Sequence, residues 1–154
     1  MPPKKITKKE LGQLLKVKTE KLLKAIIAAE EAEESTALDT FYVLNSTSND
    51  VTLEVLMGDA GQSFDLLITL DDAVLANHKK DNYPETVIGQ NNTLNGKVLR
   101  IAASIADLSR ETNLTSLTVI LKGGKANRKF PLFKAVKEEG EMVEYACRIE
   151  FFRP

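Results

Sequence analysis

The sequence predicts a mainly β protein: an antiparallel β-sandwich of about seven strands behind one N-terminal α-helix. Three observations carry this. Apolar residues recur at helical spacing as far as Glu34, apolar and polar residues alternate from Leu38 onward, and turn-forming clusters separate the alternating runs. The division that follows is residues 1–37, a charged helix and linker, and residues 38–154, the sandwich.

The helix is expected over residues 7–34. Thr7 and Glu10 have the spacing of a capping box, in which hydroxyl and carboxylate satisfy free amides of the first turn. Leu11, Leu14, Leu15, Leu22, Leu23, Ile26 and Ile27 then form one apolar stripe. Its charge opposes its own dipole: Lys4, Lys5, Lys8 and Lys9 crowd the positive start, and Glu30, Glu31, Glu33 and Glu34 the negative end. Each such charge costs about 0.3–1 kcal/mol at low salt. A partner that neutralises the ends would relieve this, and so would salt screening.

Seven segments alternate with a period of two. They centre on Phe41 and Val43; Val51 to Met57; Phe64 to Leu70; Leu99 to Ile105; Leu117 to Leu121; Phe130 to Val136; and Val143 to Phe151. Turns are expected at Gly58–Gly61, Glu111–Asn113, Gly123–Gly124 and Glu138–Glu141. Immunoglobulin-like, C2-like and jelly-roll-like topologies all fit such spacing. Residues 77–96 read as a long polar connection with only Thr86–Ile88 strand-like, and so as a first place to seek a contact surface.

At 154 residues, 43% hydrophobic and 28% charged, the chain is long and apolar enough for a folded core. The basic start is followed by an apolar run that Lys24 interrupts and EEAEE ends, which fits neither a signal peptide nor a membrane span. A cytoplasmic location is therefore expected, with signal-independent export left open. One cysteine excludes an internal disulfide. Glycosylation-type triplets at Asn45, Asn91 and Asn113 are read as turn chemistry rather than acceptor sites.

Catalytic chemistry is sparse. The single histidine, His78, sits beside Lys79 and Lys80 in a stretch read as exposed loop, and Cys147 falls on the apolar face of the last segment, where burial disfavours a thiolate. Zinc would need more Cys and His than the chain contains. Asp71, Asp72, Asp81, Asn91 and Asn92 could be gathered for calcium, but without the spacing of a known loop. Lys122-Gly123-Gly124-Lys125 lies between strands and cannot serve as a phosphate loop, which must lead into a helix. No cofactor and no catalytic residue is expected.

Charge clusters point instead to contacts. Lys122, Lys125, Arg128 and Lys129 flank the start of one strand, and Glu138, Glu139 and Glu141 follow its end, separated by roughly 25–30 Å, beyond a Debye length. With the stripe Leu11, Leu15, Leu22 and Ile26, these clusters suggest a non-catalytic structural or assembly subunit. Its partners would be copies of itself or other proteins, contacted head to tail. An alternative is a binding module whose first 24 residues, with eight Lys, dock on nucleic acid or an anionic membrane. A second is a carbohydrate-binding sandwich, for which Tyr83 is the tyrosine expected to be free.

Overall fold

The computed structural model describes residues 35–58, 62–107, 114–138 and 140–154. The predicted helix, with Leu11, Leu15, Leu22 and Ile26, lies outside the described residues, as does Glu139. No helix among the described residues is long and apolar enough to cross a membrane.

Among the described residues nine strands form: β1 (Ala37–Val43), β2 (Asp50–Met57), β3 (Gln62–Leu70), β4 (Ala73–Lys79), β5 (Tyr83–Gln90), β6 (Val98–Asp107), β7 (Leu114–Lys122), β8 (Arg128–Ala135) and β9 (Met142–Phe152). They make two sheets, one of five strands in the order β1-β9-β6-β3-β4 and one of four in the order β5-β2-β7-β8. Every segment expected from alternation is a strand. Two further strands occupy and flank the stretch read as a long loop: β4 runs through His78, and β5 covers Tyr83 to Gln90.

The interior strands show why alternation is sufficient. In β9, Val143, Tyr145, Cys147, Ile149 and Phe151 are buried while their sequence neighbours face outward. Leu99, Ile101, Ala103 and Ile105 of β6 repeat the pattern, as do Val51, Leu53, Val55 and Met57 of β2. These side chains share one core with Leu66 and Ile68 of β3 and with Leu117, Val119 and Leu121 of β7, so both sheets bury a face in the same core. Each fully buried aliphatic or aromatic side chain contributes about 1.5–3 kcal/mol.

The edge strands β4 and β5 have little of this signal. In β4 only Ala76 is buried, and β5 buries Tyr83 while the rest is half-buried or exposed. Register shifts interrupt the pairing of β4 with β3 and of β5 with β2. An edge strand with one open side needs few apolar residues and gains from irregularity that discourages pairing with another chain.

The sheets are not wholly antiparallel. β1 pairs with β9 in parallel, from Ala37 opposite Ala146 to Val43 opposite Phe152. A parallel pair needs a long connection, and here everything between the two strands supplies it. The alternation in β1 is also offset by one residue from expectation: Tyr42 is buried and Phe41 is 55% exposed. A slip of one residue moves a whole strand's side chains to the other face.

Candidate interaction surface

The β7–β8 turn is positioned by contacts that only its glycines permit. Gly123 has φ +99°, and a Cβ there would lie 2.1 Å from the carbonyl oxygen of Asp50. A Cβ on Gly124 would lie 2.6 Å from the Tyr42 ring and 2.7 Å from the Val43 carbonyl oxygen. The turn therefore lies directly against the end of β1 and the start of β2. There the Lys125 amide donates to Val43 O (2.9 Å), the Gly124 amide to the Tyr42 hydroxyl (2.9 Å), and that hydroxyl to Ala126 O (2.8 Å). Burial pushes the Tyr42 phenol above its usual range, against smaller opposing effects of the Gly124 amide and the Arg128 charge. The phenol stays protonated and keeps its donor.

Two asparagines lock the same turn from beneath. Asn91 is fully buried; its Nδ2 donates to Asn49 O (2.8 Å) and Gly123 O (2.9 Å), and its Oδ1 accepts the Asn45 amide (2.8 Å). Asn45 Nδ2 donates to the carbonyl oxygens of Gly123 and Gly124, both at 3.1 Å. These amides are held inside hydrogen-bond networks, as structural turn residues. Asn113 lies outside the described residues.

On this frame sit the cations. Lys125 lines two shallow hollows, one of about 320 Å³ shared with Leu44, Asn45, Ser46, Arg153 and Pro154, the other of about 140 Å³ shared with Tyr42, Val43, Ala126 and Arg128. Arg128 stacks over Phe130 at 5.1 Å from the ring centroid, which orients its guanidinium. Lys129 is exposed on the edge strand β8. Among the described residues, none makes an ion pair with Lys125, Arg128, Lys129 or Arg153. Lys122, expected in the same group, is turned to Glu85 at 3.7 Å.

At the same end of β1 and β9 is an apolar pair that the alternation pattern does not single out. Phe41 of β1 and Phe152 of β9 are 55% and 48% exposed, with ring centroids 6.5 Å apart and planes at 77°. Register brings them together, since Phe152 lies opposite Val43. Arg153 follows Phe152 directly and its amide is fixed by Asn95 Oδ1 (2.9 Å). Two Phe separated by 111 positions give no local motif; the parallel pairing alone makes them neighbours.

The carboxylates expected at the far end of β8 follow it there. Glu138 is exposed, and Glu141 is exposed but committed, its Oε1 accepting the amides of Lys137 (2.9 Å) and Glu138 (3.4 Å). Glu144, exposed on β9, joins this end.

Other candidate groups fare differently. His78, with φ +54°, lies 3.4 Å from the Asp65 carboxylate, which Lys80 also approaches at 3.4 Å. Against a desolvation effect, these partners hold the Asp65 carboxyl below its usual range. Burial pushes the Cys147 thiol up to about 12. The oxygens considered for calcium are dispersed: Asp71 and Asp81 lie beyond opposite ends of β4, Asp71 Oδ1 accepts the Val98 amide (2.8 Å), and Asn91 is enclosed. Among the described residues, no group of three His, Cys, Asp or Glu is placed to hold a metal. Tyr83, expected to be free, is buried along with Tyr42 and Tyr145, so the exposed aromatics of this surface are phenylalanines. No family model, curated protein or solved structure matches the chain.

Proposed function

We propose that the chain is a non-catalytic assembly subunit, a two-layer β-sandwich that docks on protein partners through the end where β1, β9 and the β7–β8 turn meet. The observation that carries this reading is the exposed Phe41–Phe152 pair at the end of the sheets that also carries Arg153 and Lys125, cations without an ion-pair partner among the described residues. Interface cores are enriched in aromatic residues and Arg, and rim lysines speed encounter with an acidic surface. The glycine turn and asparagine network hold the cations on a rigid frame, so docking loses little backbone entropy.

Affinity capture with the full chain, compared with a Phe41→Ser/Phe152→Ser variant, tests the reading. Wild type is expected to retain a protein partner, or further copies of itself, that the variant releases. Equal retention by both would place docking elsewhere and sink the proposal.

A further inference from the structure

We infer that the partner of this cationic end is the opposite, acidic end of a second copy of the same chain, in a head-to-tail contact. The inference rests on the docking role proposed above and names its occupant.

Strand β9 carries both halves of the contact on its outward row. It starts with Met142, 59% exposed, and Glu144, and it ends with Phe152, followed by Arg153. Ten residue steps of about 3.3 Å separate Met142 from Phe152, roughly 33 Å, against a Debye length of about 8 Å at physiological salt. The clusters at the two ends are therefore screened from one another and act independently. The parallel register fixes which end is which: Ala37 opposite Ala146 sets the start of β1 towards the Glu144 end, and Val43 opposite Phe152 sets its finish at the cationic end.

Each end also has an apolar centre. Met142 is flexible and polarisable and packs well on aromatic rings, and the far end offers the Phe41–Phe152 pair. Glu138 and Glu144 are opposite in sign to Lys125 and Arg153 and so complement them across the contact. Both ends belong to every copy and differ from one another, so the contact is heterologous and generates a ring or an open filament rather than a two-fold dimer.

Two neutralising variants of the full chain test this: Lys125→Ser/Arg153→Ser at one end and Glu138→Gln/Glu144→Gln at the other, all at surface side chains, followed by light scattering at low salt. Wild type is expected to gain mass with concentration and lose it with added salt. Each variant alone stays monomeric, and an equimolar mixture stops at a dimer of about twice 17.0 kDa, because each variant keeps one working end. That mixing result also shows both variants to be folded. A mixture that stays monomeric overturns the pairing of these two ends. If wild type is monomeric at every concentration and salt but the Phe41→Ser/Phe152→Ser variant still loses a captured protein, self-association falls and the docking role stands. Failure of both measurements removes both.

Discussion

Asn91 Nδ2 donates to the carbonyl oxygen of Gly123 at 2.9 Å, so a side chain just after β5 fixes the turn between β7 and β8. The turn that carries Lys125 thus takes its position from a residue 32 places earlier.

Removing that amide leaves the Asn45 amide without its acceptor inside the fold. Asn91→Ala is expected to destabilise by about 1–3 kcal/mol, the usual penalty for a buried polar group left unpaired. Asn91→Asp should be worse at neutral pH, since a carboxylate would face the carbonyl oxygens of Asn49 and Gly123. Urea unfolding of the two variants checks the order.

Gly123 and Gly96 both have positive φ, +99° and +82°, but only Gly123 is crowded. Gly96→Ala carries backbone strain alone, about 1–2 kcal/mol. Gly123→Ala adds a collision with Asp50 O and is expected to cost about 3 kcal/mol or more. Equal losses would mean that steric contact with the start of β2 does not set this turn.

Tyr42→Phe removes an acceptor for the Gly124 amide and a donor for Ala126 O while keeping the ring against Phe151. The expected loss is about 1–3 kcal/mol. Hydrogen exchange should quicken at Gly124 and Lys125 and remain slow at core amides of β6 and β9, because the damage is confined to the turn.

Cys147 gives a pH test. Its folded-state thiol titrates at about 12, against 9.0 when unperturbed. Above pH 9 the unfolded chain loses this proton while the fold retains it, so stability falls as pH rises through that window, by up to about 1.4 kcal/mol per unit. Cys147→Val should show a shallower alkaline decline than wild type, and the native thiol should resist a thiol reagent at pH 8 until urea is added.

The strands most legible in the sequence are those buried on one face. Val143 to Phe151 and Leu99 to Ile105 alternate because one side of each strand meets the core and the other meets solvent, and that constraint is local enough to read. β4, and β5 apart from Thr86–Ile88, escaped the same reading because they bury only Ala76 and Tyr83, which leaves no alternating apolar row to read. Tyr83, read as free in a loop, is buried at the start of β5 because its ring joins the shared core.

The sequence by itself determined the β class, seven of the nine strands among the described residues and the glycine turn, because each rests on spacing along the chain. Tertiary structure alone decided the parallel β1–β9 pair, the meeting of Phe41 with Phe152, the addition of Arg153 beside Lys125 and the diversion of Lys122 to Glu85. It also gave Asn45 and Asn91 their work beneath the β7–β8 turn. These are contacts between positions far apart in the chain, set by register and sheet order, and residue periodicity carries no record of which strand lies beside which.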